Sequence, residues 1–288
     1  MGKAIAQCEM VNKKIPRATF GKISSHAQIL IASQKFVSTS LLSAIYMNRE
    51  YHNWYSPRLE RPMELLVFGH AGAKVLSFPT REGRFFEYES LRLVQALESK
   101  LEAGQLQLYC VEGLATETFY STWLHLADRV RRYLSYEAYL LHEVLPLMTS
   151  KNNHPCTIAH GCSLGAFYAA NFAFRHPELF SKLCAFSGRY DLTLEVEKFG
   201  NLFGGYYDEN IYFNTPSHYL PNLQDHWQLD ALRRLEVVLV VGVEDPFLEN
   251  NRQLSRILWE KGVWNTLHEW EGRAHQGHAW RKMAPLYI

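Results

Sequence analysis

From residue 47 onward, short apolar runs alternate with amphipathic stretches. Met63-Glu64-Leu65-Leu66-Val67-Phe68-Gly69 and Lys74-Val75-Leu76-Ser77-Phe78-Pro79 predict two strands, with His70-Ala71-Gly72 between them as a hairpin turn. Thr80-Arg81-Glu82-Gly83-Arg84 follows as a polar, glycine-containing loop. Leucine and valine spacing over residues 90–101 predicts a helix, and Leu106-Gln107-Leu108-Tyr109-Cys110-Val111 a third strand. A long helix is expected over residues 127–148, where Val130, Leu134, Leu141 and Val144 recur on one face. Beyond it, Cys156-Thr157-Ile158-Ala159, Lys182–Gly188, the continuous run Glu236–Gly242 and Trp264–Trp270 all have strand character. Helical stretches at residues 166–174, 250–260 and 280–287 separate or follow them. Strands alternating with helices imply an α/β fold with a mostly parallel central sheet covered on both faces. Residues 200–227 break the rhythm. They are rich in Gly, Asn, Pro, Tyr and Phe and predict an insertion over the sheet, whose aromatics serve as packing or as the wall of an acyl or aryl pocket.

Composition adds limits. A chain of 288 residues with 47% apolar content can bury a sizeable core. A net charge of +1 offers no global field for nucleic acid or acidic membranes, and no segment has the length of a membrane-spanning helix. The charge is uneven: residues 1–46 hold six Lys/Arg against the single acid Glu9. That stretch predicts an ill-defined basic extension, a transit peptide or a start assigned too early, with residues 47–288 forming the catalytic domain. Five scattered cysteines in mostly apolar runs argue for reduced thiols and a cytoplasmic protein. His154-x-Cys156 and His160-x-Cys162 put each pair on one strand face, but the surrounding run is apolar, and no metal is expected there.

The chemistry centres on Gly161-Cys162-Ser163-Leu164-Gly165-Ala166. A strand leads in and a helix leads out, the context in which Gly-x-Ser-x-Gly forms a sharp turn with the serine at its tip. Gly161 and Gly165 leave room where a Cβ would clash. Ser163 then needs a base and an orienting acid, and loops beyond the C-terminal ends of strands supply them in open α/β sheets. Asp245 follows the run Val237–Val243, with Glu244 and Asp191 as fallbacks. His275 lies before the last helix, with His278 as the alternative base. The order Ser163…Asp245…His275 is that of α/β hydrolases rather than of chymotrypsin-like or subtilisin-like enzymes. Cys162, one position before the nucleophile, is expected to be core.

From Met47 to the end, the chain resembles the esterase family of α/β hydrolases that includes S-formylglutathione hydrolases, enterochelin esterases, feruloyl esterases and mycolyltransferases. Phe78-Pro79-Thr80…Gly83-Arg84-Phe85, the Ser163 turn, Arg175-His176-Pro177-Glu178-Leu179-Phe180, Glu244-Asp245-Pro246 and Trp280-Arg281-Lys282-Met283 carry the resemblance. Counting back from Arg281-Lys282 puts His275 under the family's catalytic histidine. Gln276-Gly277-His278 replaces the family's usual Asp-Trp-Pro, which keeps His278 open. The resemblance implies a serine carboxylesterase acting on a small-molecule ester through an acyl-enzyme, with no cofactor. The alternatives are acyl transfer of the mycolyl type and a non-catalytic binding role. The oxyanion donors expected are the backbone N–H groups of Leu164 and of Thr80 or Arg81.

Overall fold

The computed structural model describes residues 47–288; the basic stretch 1–46 lies outside the described residues. Eight strands form one sheet in the order β1-β2-β4-β3-β5-β6-β7-β8. β1 (Arg49–Ser56), β2 (Arg61–Phe68) and β4 (Leu106–Val111) pair antiparallel, and β3 (Ala73–Phe78), β5 (Thr157–Cys162), β6 (Lys182–Phe186), β7 (Glu236–Gly242) and β8 (Asn265–Trp270) extend the sheet from β4 in parallel.

Alternation along the strands feeds two cores. Leu65, Val67, Leu76, Phe78, Ala159, Leu183 and Leu239 face one side, which is covered by α1 (Leu126–Tyr139), α2 (Leu164–Arg175) and α3 (Leu248–Glu260). Leu66, Phe68, Val75, Ile158, Cys162, Phe186 and Val240 face the other, which is covered by the short turns of residues 87–102 and by α4 (Gly277–Tyr287). β4 and β5 are buried along their whole length, as expected of strands with neighbours on both edges.

Three expectations change. β2 and β3 are not a hairpin, because β4 lies between them. The connecting turn crosses the start of β4 so closely that a Cβ at Gly72, whose φ is +88°, would stand 2.2 Å from the Gln105 carbonyl. The true hairpin is β1–β2, closed by the Glu60 N–H on the Ser56 carbonyl at 2.8 Å. The helix expected over 90–101 is three short turns, interrupted where Arg92 takes a left-handed φ of +57°. The long helix holds its direction to Lys151 but passes through a π-helical turn at Leu140–Val144.

Residues 209–232 of the insertion form short helices packed against α1, α2 and α3. Of their aromatics, Tyr219 is buried, whereas Phe213 and Trp227 are exposed. Tyr212, Phe213 and Tyr219 line a separate cavity beside Arg175.

Candidate active site

Ser163 sits between β5 and α2 with φ 57° and ψ −122°, a conformation that costs a non-glycine residue on the order of 1–3 kcal/mol. Backbone packing holds it there. A Cβ on Gly161 would lie 2.2 Å from the Gly165 carbonyl, and one on Gly165 would lie 2.3 Å from the Phe78 carbonyl oxygen. The Ser163 N–H donates to the Phe186 carbonyl at 2.8 Å, tying the turn to β6.

Asp245 and His275 come from neighbouring loops at the same end of the sheet. Two backbone bonds join these loops: the Val243 N–H to the Trp270 carbonyl at 2.8 Å, and the Glu244 N–H to the Gly272 carbonyl at 3.0 Å. Gly242 permits this approach, since a Cβ there would meet the Arg273 carbonyl oxygen at 2.2 Å. The result is a continuous chain of hydrogen bonds. Asp245 Oδ2 lies 2.8 Å from His275 Nδ1, and His275 Nε2 lies 2.9 Å from Ser163 Oγ. The Asp245 side chain is fully buried, and its Oδ1 accepts the Phe247 N–H at 2.9 Å. Phe247 and Trp280 flank the imidazole.

The other candidates fall elsewhere. His278 is exposed in the first turn of α4, beside Lys282 and Trp270. Glu244 is exposed. Asp191 is buried but engaged: Oδ1 accepts from the Thr193 N–H and hydroxyl at 2.8 and 2.6 Å, and Oδ2 lies 3.0 Å from His218 Nε2. Cys162 is buried in the core on the opposite sheet face, and burial raises its thiol pKa well above the usual value. His160 Nδ1 lies 2.7 Å from the Cys184 carbonyl, and burial lowers its pKa to about 4.

The loop after β3 bends over the Ser163 turn. The Thr80 N–H donates to Glu87 Oε2 at 2.7 Å and its hydroxyl to Oε1 at 2.5 Å, so the Thr80 donor is already spent. Burial raises the pKa of Glu87, against the lowering effect of these two bonds. Among the described residues, no acceptor faces the N–H of Arg81 or of Leu164. Both residues line a cavity of about 380 Å³ that also exposes Ser163 and His275. Its walls are Tyr120, Arg189, Lys198, Phe199, Phe247 and Trp280. Of these, only Trp280 lies in a motif that carries the resemblance, and Phe247 follows directly on another, Glu244-Asp245-Pro246; Tyr120, Arg189, Lys198 and Phe199 belong to none. No group of three metal-ligating side chains is assembled among the described residues.

A sequence model of the family described as "Putative esterase" matches residues 93–281, more than half of the chain. The chain belongs to the esterase family. Solved structures extend the likeness over more than four fifths of this esterase. A ferulic acid esterase is similar at 14% identity and TM-score 0.63, over 82% of this chain and 94% of the other. An S-formylglutathione hydrolase from Staphylococcus aureus is similar at 15% identity and TM-score 0.60, over 84% and 97%. The enterobactin esterase of Shigella flexneri is similar at 17% identity and TM-score 0.56, over 85% and 61%. No curated protein matches the chain in sequence. The fold is that of the α/β hydrolases, and the enzyme is an esterase, a carboxylic ester hydrolase. No helix among the described residues is long and apolar enough to cross a membrane.

Proposed function

We propose that this esterase hydrolyses short acyl esters through an acyl-enzyme on Ser163, with His275 as the proton carrier and Asp245 as the orienting acid. The observation that carries the reading is the unbroken hydrogen-bonded chain from Asp245 through His275 to Ser163, opening onto the cavity. His275 Nε2 takes the Ser163 proton as Oγ attacks the ester carbonyl, and the imidazolium then gives it to the departing alcohol. Asp245 fixes the tautomer that leaves Nε2 free to accept and stabilises the cation that forms. The tetrahedral oxyanion is met by the N–H groups of Leu164 and Arg81, each worth about 3 kcal/mol of barrier. Water activated by the same imidazole hydrolyses the acyl-enzyme. A cavity of about 380 Å³ with charged walls suits a short acyl group and counts against acyl transfer of the mycolyl type, which needs a long apolar cleft. Among the described residues Cys110, Cys156, Cys162 and Cys184 are unpaired, which favours a reducing, cytoplasmic setting.

Turnover of p-nitrophenyl acetate, butyrate and octanoate tests the reading. Ser163→Ala and His275→Ala are expected to lose about 10⁴-fold or more in kcat, and Ser163→Ala to lose labelling by a fluorophosphonate. His278→Ala should retain the wild-type rate. A dead His278→Ala with a live His275→Ala would reassign the base, and a wild type silent in both assays would favour the binding role.

A further inference from the structure

The cavity over Ser163 is lined by a buried cation with no ion-pair partner among the described residues. Arg189, on the loop after β6, is 5% exposed. Its Nε donates to the Asp191 carbonyl at 3.1 Å, and its Nη2 is shared among the carbonyls of Leu192 (3.2 Å), Leu194 (2.5 Å) and Gly200 (2.8 Å). No carboxylate among the described residues lies within ion-pair distance of it. Asp191, its near neighbour in sequence, spends its carboxylate on Thr193 and His218.

Nη1 has no acceptor among the described residues, yet it is not sealed inside the protein, and the residue lines the catalytic cavity. The Tyr120 hydroxyl stands beside the guanidinium. Arg81 approaches Tyr120 from the other side, its guanidinium carbon 5.1 Å from the ring centroid. Lys198 adds a third cation to the wall. Glu82 is the carboxylate on this wall; it is mostly exposed and bound to Arg81 at 2.6 Å.

Burying a charge is costly unless it is paired, and carbonyl dipoles compensate it only in part. Burial accordingly lowers the Arg189 pKa. A fold that fixes a guanidinium through its Nε and Nη2 donors and leaves the third nitrogen without an acceptor, on a residue lining the Ser163 cavity, is pre-organised for an anion. A neutral ester would bring no opposite charge to this guanidinium.

We infer that the preferred substrate is an ester bearing a carboxylate, anchored by Arg189 Nη1 with Arg81, Lys198 and the Tyr120 hydroxyl around it. The inference rests on Ser163 being the nucleophile of this cavity. The carboxylate can sit on the acyl or on the alcohol half of the ester, and the assay separates the two. p-Nitrophenyl hydrogen glutarate is compared with p-nitrophenyl valerate, and p-acetoxybenzoate with p-acetoxybenzamide.

One anionic member should exceed its neutral partner by at least about tenfold in kcat/KM, with the margin shrinking as salt is added. A glutarate preference puts the anion on the acyl side, and a benzoate preference on the alcohol side. Arg189→Met should reduce that ratio by about tenfold or more, and Lys198→Met, at the exposed rim, by a few-fold. Because Arg189→Met removes several internal bonds and can fail to fold, wild-type protein supplies a second readout. Glutarate should inhibit hydrolysis of the neutral ester and bind by calorimetry, whereas glutaramide should do neither. Neutral esters cleaved as well as both anionic ones, with no inhibition by glutarate, would overturn the inference and leave the esterase reading standing. If no ester is cleaved, calorimetry alone decides: glutarate binding supports the anion site while the catalytic reading falls, and absent binding removes both.

Discussion

The Ser163 turn and the loop after β6 face the same cavity, but they are held by opposite means. Around Ser163 the contacts are backbone on backbone: Gly161 against Gly165, and Gly165 against the carbonyls of Phe78 and Pro79. In the loop from Ser187 to Gly200 they are side chain on backbone. Arg189 gathers four carbonyls, Asp191 holds Thr193, Asn250 Oδ1 accepts the Tyr190 N–H at 2.6 Å, and Asn251 donates to the Gly188 carbonyl at 2.8 Å. A backbone contact at van der Waals distance has no give, so it fixes the reacting atom against almost any local change. A polar side-chain network can lose one bond at a time. The chemistry is thus built from the least adjustable part of the chain, and the wall that meets the substrate from a more adjustable one.

The largest test of this contrast is a single methyl group. Gly165→Ala places a Cβ 2.3 Å from the Phe78 carbonyl oxygen, at the end of β3, and 2.6 Å from that of Pro79, in the loop that carries the Arg81 N–H. That loop must move, and with it the N–H proposed as an oxyanion donor. Overpacking of this kind costs about 1–3 kcal/mol of stability. A displacement near 1 Å at the reacting centre costs about 100-fold in kcat. Steady-state kinetics and thermal unfolding on one preparation check both. A Gly165→Ala enzyme with the wild-type kcat would show that the turn is not held by backbone contact.

On the other side of the contrast, Asp191→Asn should cost stability and little rate. Burial acts to raise the Asp191 pKa, but the His218 bond and the bonds from Thr193 outweigh it, and the carboxylate sits below its ordinary value. A carboxylate depressed in the folded state contributes stability that is present above its unfolded pKa and lost as pH falls through its folded one. The substitution should therefore cost about 1.5–3 kcal/mol at neutral pH. The gap to wild type should close as the pH drops from its ordinary pKa of 3.8 toward the folded value. Urea unfolding at several pH values follows it. With a neutral p-nitrophenyl ester, kcat should stay within about fivefold, because the loop keeps its other anchors. A pH-independent gap would assign the loss to shape rather than charge.

The same contrast explains what the sequence could and could not tell. Gly161, Ser163 and Gly165 are legible because a backbone constraint demands glycine at fixed spacing, and Asp245 and His275 because they end long apolar runs or precede a helix. The hairpin expected at His70-Ala71-Gly72 was misread because strand pairing is non-local: a turn between two strands looks the same whether they are neighbours or, as here, straddle β4. Thr80 and Arg81 were equivalent on paper. Only the position of Glu87, seven residues on, shows that the Thr80 N–H is occupied. Arg189, Tyr120 and Lys198 gave no signal at all, since scattered polar residues acquire meaning only when the loops bring them to one cavity. Of the insertion's aromatics, the most conspicuous stretch in composition, Tyr212, Phe213 and Tyr219 line a separate cavity beside Arg175, and none lines the cavity over Ser163.

The smallest predicted effect sharpens the contrast from beneath. Cys162 adjoins the proposed nucleophile, but strand alternation sends its side chain into the core on the far side of the sheet, among Cys184, Phe186 and Cys110. If backbone contacts alone hold the turn, removing the sulfur should leave the position of Ser163 unchanged. Cys162→Ala is expected to lose about 1 kcal/mol, the cost of a small void, while kcat/KM stays within about twofold. The wild-type thiol, fully buried and with its pKa raised well above the usual value, should also resist iodoacetamide at neutral pH. A tenfold fall in kcat/KM for Cys162→Ala would mean that side-chain packing under β5 helps aim the serine. The division between a turn fixed by backbone and a wall fixed by side chains would then have to be redrawn.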